Sequence, residues 1–338
     1  MTRALIVRLG ALGDIVHAIP VAAALRRAFP TARIDWLVSA RHRELLDLVP
    51  VIDRRLVIND RAGAEGGTPM LAAIRELRRA RYDVALDLQG LLKSAVMTRA
   101  SGAARVVGFS SAYVRERLAR LFYTETRELD GVPHVVFQNL ALLQALDLTV
   151  VSPEFPIERV DSAVAAQVHE RTAGHYALLN PGAAWPNKRW PPSRFGAVAA
   201  SLRERHRLTS VALWGPGEQS IAEGVVASSN GAAILSPPTS IADIVALARG
   251  AALMISGDTG PTHIAAAVGT PIVGIFGPTR PARNGPWAAD DVTVSRDAVC
   301  QCHHLRRCRV ATMCLLDIGV DEVVGAVERR LAFERSRV

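Results

Sequence analysis

The chain predicts an α/β protein of two doubly wound domains, and three observations carry that prediction. Short apolar runs alternate with helix-spaced stretches along nearly all of its 338 residues. Glycine or proline turns follow the runs, as they do where a buried parallel strand passes into a helix. The pattern also lapses once, over VVSPEFPIERVD (150–161), and then restarts. A chain this long exceeds one ordinary core and suits two.

The first run, RALIVR (3–8), meets Gly10 and Gly13, and residues 14–28 have helical spacing. Strand-like runs follow at 34–38, 55–58, 83–89 and 104–109, separated by helical stretches, notably 69–80 and 91–100. A helix is expected over 133–147 after Pro133. The second series runs 175–180, 209–215, 232–235, 251–256 and 270–276. Domains of 1–155 and 156–338 are therefore expected, facing a central cleft, with the last helix a candidate to cross back to the first domain. Ligands of open α/β sheets bind beyond the carboxyl ends of the strands, so the loops there are where chemistry is sought.

A net charge of +8 admits nucleic acid, an anionic membrane surface or a phosphorylated substrate. The arginines are scattered rather than gathered in a tail, and aromatics are 5% of residues, which disfavours a nucleic-acid groove. The N-terminal apolar run is too short for a signal peptide, and no run approaches a membrane span, so a cytoplasmic location is expected. Only Lys93 and Lys188 are lysine among 40 basic residues. Against such an arginine bias, a lysine marks a place where a compact ammonium is wanted.

Five loops hold the candidate chemistry. Asp14 follows Gly10 and Gly13 after the first strand; a first-turn aspartate and a general base both fit that position. Asp87-Leu88-Gln89-Gly90 leads a second strand into a helix carrying Lys93. Lys188 sits in NPGAAWPNKRWP (180–191), where tryptophans and prolines stiffen a loop suited to phosphate; Ala183 and its small neighbours suit a backbone anion nest. In SGDTGPTH (256–263), Thr259 or Gly260 can cap a helix whose free N–H groups would take an anion, with Pro261 at its first position. His263, one turn in, reads equally as a core histidine. Glu218, in WGPGE (214–218), is placed to accept from a ribose diol, or simply to start a helix.

In order and spacing, RLGALGDIVHAIP, DLQGLLKSA, NPGAAWPNKRWP, WGPGE and GDTGPTHIAAAVGTPIVGIFGPT resemble glycosyltransferase family 9, the heptosyltransferases of lipopolysaccharide inner-core assembly. The resemblance lies closest to the type that adds the first heptose. It implies a GT-B architecture of two Rossmann-like domains, an ADP-heptose donor, inversion at the anomeric carbon, and an anionic lipid-linked acceptor of the Kdo-lipid A kind. It assigns the base to Asp14 and donor-phosphate binding to Lys188. It places Gly13, Ala183, Glu218, Asp258, Thr259, Gly260 and His263 about the donor, and Gln89, Lys93 and Arg115 about the acceptor. No cofactor is required for such catalysis. Peripheral contact with the inner membrane leaflet is implied; Arg115, Arg117 and Arg120 on one short helix read either as candidates for it or as a solvated helix face.

The residues alone leave open another nucleotide sugar, a protein acceptor, or a non-catalytic sugar-nucleotide-binding module. The cysteines depart from the first-heptose pattern. Cys300, Cys302, Cys308 and Cys314 fall in one 15-residue window with His303 and His304 between, and none occurs elsewhere. Four thiolates suit structural zinc or iron, although this spacing is not a standard zinc one. The analogy with autotransporter-modifying heptosyltransferases implies an iron site there; buried or solvent-facing thiols without metal are the alternative.

Overall fold

The computed structural model describes residues 1–59, 67–129, 131–303, 305–310 and 312–335. They form two compact units, Met1–Glu158 and Arg159–Val338. The first unit holds a six-stranded parallel sheet of β1 (Arg3–Val7), β2 (Arg33–Ser39), β3 (Arg54–Ile58), β4 (Val84–Asp87), β5 (Arg105–Phe109) and β6 (Glu125–Arg127) in the order β3-β2-β1-β4-β5-β6. Strands covered on both faces must be apolar throughout, which is why β1 reads as the unbroken run Ala4–Val7, all fully buried. The exception in β2, Asp35, is also fully buried; it accepts from Arg33 Nε at 2.9 Å and from the Tyr82 hydroxyl at 2.6 Å.

Where one helix is expected over 14–28 there are two, Leu12–Val16 and Ile19–Ala28. Pro20 is the cause: proline is tolerated in a first helical turn and breaks an interior one, so the helix restarts around it. The stretch 133–147 likewise divides, into the helix Val135–Ala141 and a 3-10 turn Leu142–Leu146. Strand β6 has no apolar run to announce it, its sequence being Glu-Thr-Arg.

The second unit repeats the design with β7 (Tyr176–Asn180), β8 (Thr209–Ala212), β9 (Ala233–Leu235), β10 (Leu253–Ser256), β11 (Ile272–Phe276) and β12 (Val292–Ser295) in the order β12-β11-β10-β7-β8-β9, again parallel. Trp190 and Phe195 meet edge to face, ring centroids 5.1 Å apart, in its core. The last helix, Val320–Arg335, buries Val323, Ala326 and Val327 in that same core. Its Arg330, 4% exposed, pairs with Asp291 at 2.9 Å and Asp290 at 3.6 Å. In each sheet the strand order reverses beside the unit's first strand, between β1 and β4 and between β7 and β10. Such a switch point leaves a crevice at the strands' carboxyl ends.

Candidate active site

In the first unit, the loops after β1 and β4 are tied together at that switch point. Leu9 N–H donates to Gln89 Oε1 at 2.7 Å, and Arg8, 3% exposed, donates to the Leu88 carbonyl. Arg8 also reaches Asp14, Nη2 to Oδ1 at 2.7 Å. The other carboxylate oxygen, Oδ2, accepts the Ala11 N–H at 3.1 Å and lies 3.7 Å from Arg115 Nη2. The Asp14 side chain keeps one fifth of its surface exposed. Burial, the largest single influence, works to raise its pKa, but the charges of Arg8 and Arg115 together with the bonds from Ala11 and Arg8 outweigh it. The carboxyl is held below the ordinary aspartate range. Gly13 lies in the same short helix, one residue before Asp14.

Gly10 owes its identity to crowding: a Cβ there would stand 2.4 Å from the His42 ring. The turn after β4 is fixed by Asp87, fully buried, which accepts from Gln89 N and Gly90 N at 2.9 and 3.3 Å, from Ser94 Oγ at 2.9 Å and from the Tyr123 hydroxyl at 2.7 Å. Tyr123 gains that position over Gly108, where a Cβ would fall 2.3 Å from its ring. The carbonyl of Gly90 in turn accepts from Arg115 N at 3.1 Å, so one anchored turn positions both Gln89 and Arg115. Lys93 is the second residue of the helix Leu92–Ala100 and is half-buried.

In the second unit the loop after β7 closes on a 3-10 turn, Pro186–Lys188. Asn187 Nδ2 ties it to the Leu305 carbonyl at 2.8 Å, and Trp190 Nε1 ties the next residues to the Ile318 carbonyl at 3.1 Å. Lys188 Nζ is 2.6 Å from Asp258 Oδ2 and 4.5 Å from the centroid of the Trp185 ring. Asp258 Oδ1 meets His263 Nε2 at 3.1 Å. Burial would raise the Asp258 carboxyl, yet the His263 hydrogen bond and the Lys188 charge hold it far below the usual range. Asp258, Lys188 and His263 thus form one hydrogen-bonded group beside the N-terminus of the helix Gly260–Ala267.

Thr259 caps that helix by position rather than by a side-chain bond. Its hydroxyl accepts from Asn180 Nδ2 at 2.9 Å and meets Thr262 Oγ1 at 2.8 Å. Gly260 takes the first helical position and Pro261 the second, one later than expected. Glu218 precedes the helix Gln219–Ala227 and lies over Gly182, where a Cβ would be 2.2 Å from Glu218 Oε2. Arg189 links Glu218, at 3.5 Å, to the Ala183 carbonyl, at 2.8 Å.

The predicted residues thus gather into two groups, each described within its own unit: Asp14, Gly13, Gln89 and Arg115 in the first; Lys188, Asp258, His263, Thr259 and Gly260, with Ala183 and Glu218 linked through Arg189, in the second. The sequence reading missed Arg8, Arg189 and Asn180. Arg8 carries a signal, since it is a charged residue prolonging a fully buried apolar strand.

The cysteines do come together. Cys302 N–H donates to Cys300 Sγ at 3.4 Å and Arg309 N–H to Cys302 Sγ at 3.2 Å. The thiols of Cys302 and Cys308 are hydrogen-bonded, as are those of Cys300 and Cys314. Backbone N–H donation draws the Cys302 thiol down, whereas burial pushes Cys314 up to about 12. All four are free thiols. His303 Nδ1 lies 3.2 Å from the Pro278 carbonyl, and His304 lies outside the described residues. Among the described residues no group of three or more His, Cys, Asp or Glu is arranged to hold a metal ion.

Two Rossmann-like units of six parallel strands, each with charged side chains collected at its switch point, define the GT-B class of glycosyltransferases. The family model of glycosyltransferase family 9 (heptosyltransferase) matches residues 70–313. Lipopolysaccharide heptosyltransferase 1 of Pseudomonas aeruginosa PAO1 is 30% identical over 308 residues, 88% of this chain and 85% of that relative. Among solved structures, a family 9 glycosyl transferase from Veillonella parvula superposes with a TM-score of 0.81 at 22% identity, covering 98% of both chains. E. coli heptosyltransferase WaaC, solved with ADP, gives 0.75 at 21% identity over the whole of both chains, and it has also been solved with ADP-2-deoxy-2-fluoro heptose. The chain belongs to glycosyltransferase family 9.

Proposed function

We propose that this enzyme transfers a heptose from ADP-heptose to an anionic, lipid-linked saccharide of the lipopolysaccharide inner core, with inversion, at the cytoplasmic face of the membrane. One observation carries the mechanism: Asp14 is an ionised, partly exposed carboxylate held by two arginines at a switch point. A sugar hydroxyl becomes a nucleophile as its proton is taken, and Asp14 is the acceptor of that proton. Gln89, Lys93 and Arg115 bind the acceptor's anionic groups.

In the second unit Lys188 and the N-terminus of the helix Gly260–Ala267 receive the diphosphate. As the bond to the anomeric carbon breaks, the leaving ADP gains charge that these groups stabilise. Asp258, with His263 behind it, orients Lys188 and takes donor hydroxyls. Glu218 accepts from the ribose diol. The names and ligands of the relatives support the heptose and the acceptor; the site supports the base and the diphosphate clamp. Mass spectrometry of the product from ADP-heptose and a Kdo-lipid A acceptor tests the reading, and a product one heptose heavier is expected. No product with that acceptor, alongside turnover with another sugar nucleotide or a protein acceptor, would replace it.

Arg8 sets the working range of the base. Its positive charge favours the carboxylate, so removing it raises the Asp14 pKa. In Arg8→Gln the acid limb of the kcat/KM profile is expected to move up by about one pH unit, whereas Arg8→Lys keeps it low. An unmoved limb in Arg8→Gln would dissociate Arg8 from the base.

The Glu218 role makes a second prediction. Gly182→Ala drives a methyl group into the carboxylate, so the KM for donor should rise about tenfold or more with a smaller change in kcat. Titration of ADP by calorimetry checks it, and unchanged ADP affinity would remove Glu218 from the donor site.

A further inference from the structure

The cysteine-bearing stretch after β12 takes no part in the transfer chemistry, yet it is fastened to two loops of the second unit. On the loop after β7, Asn187 Nδ2 donates to the Leu305 carbonyl at 2.8 Å, and the same side chain is hydrogen-bonded to the Cys308 sulfur. Further on, Arg194 Nη1 donates to the Leu316 and Ile318 carbonyls at 2.7 and 2.6 Å. On the loop after β11, Cys314 lies over Gly277, where a Cβ would stand 3.0 Å from its sulfur. Asn187 is 1% exposed and directly precedes Lys188. Its anchor Leu305 lies between Cys302 and Cys308, whose thiols are hydrogen-bonded to each other. The grip on the neighbour of Lys188 therefore runs through a span that these two sulfurs bracket. Cys302 is 1% exposed, whereas Cys308 is half-buried.

We propose that Cys302 and Cys308 are a reversible oxidation site, and that joining them loosens the Lys188 loop. Cys308 is the sulfur that a small-molecule disulfide reaches. Its thiolate attacks one sulfur of that disulfide, and the other leaves as a thiol. Cys302 then attacks the Cys308 sulfur of the mixed disulfide and releases the second thiol. The two cysteines give up two electrons and two protons, and the small disulfide becomes two thiols. The Arg309 N–H, 3.2 Å from Cys302 Sγ, favours the thiolate that makes the second attack. In the product the two sulfurs stand about 2 Å apart, nearer than any hydrogen bond, so the residues between them, Leu305 included, must shift. Asn187 then loses its carbonyl partner, its thiol partner or both. The other hydrogen-bonded pair, Cys300 and Cys314, borders Gly277 instead. The oxidation is independent of the proposed transfer; its consequence for the donor rests on Lys188 receiving the diphosphate.

The test uses the full chain, equilibrated in mixtures of reduced and oxidised glutathione and quenched with acid. Peptide mapping should find a disulfide between Cys302 and Cys308, and a dithiol should reverse it. Hydrogen exchange across residues 185–190 should quicken about fivefold, as the loss of one hydrogen bond implies. The ADP Kd, by calorimetry, should rise by about the same factor. Cys302→Ser and Cys308→Ser should each bind ADP as reduced wild type does and ignore the oxidant, whereas Cys314→Ser should still respond. No disulfide, or one formed only between Cys300 and Cys314, overturns the proposal. So does a mapped Cys302–Cys308 disulfide that leaves exchange across 185–190 unchanged. Thiols that react only after a chelator is added would assign the cysteines to a metal ion and overturn it equally. Faster exchange on oxidation, in a chain that binds ADP in neither form, would uphold the oxidation site and sink the donor reading.

Discussion

Asp14→Asn is expected to lower kcat by about 10²–10⁴-fold and to leave ADP binding within a few-fold of wild type. The asparagine keeps the size of the side chain but one oxygen only, which can accept from the Ala11 N–H or from Arg8 and not from both, so thermal midpoints are measured with the kinetics. It removes the only feature the transition state needs and the ground state does not, a site for the hydroxyl proton. The loss should therefore appear in kcat, with the donor's Kd spared if the groups proposed for the donor, which belong to the other unit, bind it. Single-turnover transfer and ADP calorimetry on the same preparation check both halves. Near wild-type kcat would assign the carboxylate to the helix start alone.

Lys188→Ala should cost about 10²–10³-fold in kcat and raise the KM for donor as well, since in the proposed mechanism the ammonium would serve both the bound diphosphate and the departing one. Its pairing with Asp258 complicates the experiment in an informative way. The two side chains are 14% and 7% exposed, so removing the lysine leaves a buried carboxylate that has lost its ammonium, still hydrogen-bonded to His263. Stability should fall by about 3 kcal/mol, and thermal midpoints must be measured with the kinetics. Lys188→Arg restores the charge without the compact ammonium, and is expected to recover the midpoint more fully than kcat. A Lys188→Ala enzyme that turned over normally at a lowered midpoint would make the lysine structural.

The parts of this molecule that were legible beforehand are those where burial dictates residue type. Strands covered on both faces must be apolar end to end, so β1, β2, β7 and β11 stand out as runs. Strand β6 does not, because Glu125 and Arg127 sit at a sheet edge where charge is tolerated; β12, at the edge of the other sheet, is also absent from the expected strands. The break between the two first helices was present in Pro20 and was overridden by helical spacing. At the site, loop residues announce themselves by rarity and by glycine context, as Lys188 and Asp14 do. Their partners do not: that Arg8 neutralises Asp14, that Asn180 fastens Thr259, and that Arg189 bridges Ala183 to Glu218 are products of side-chain direction across neighbouring strands.

The central claim is that a carboxylate in one unit and a cationic diphosphate clamp in the other perform a single inverting displacement. The anomeric configuration of the product, read by NMR from ADP-heptose and a Kdo-lipid A acceptor, tests it most directly. A heptose joined in the configuration opposite to the donor's, formed by wild type and not by Asp14→Asn, is the predicted result. Retained configuration, which requires a second displacement and a covalent or caged intermediate, would contradict it.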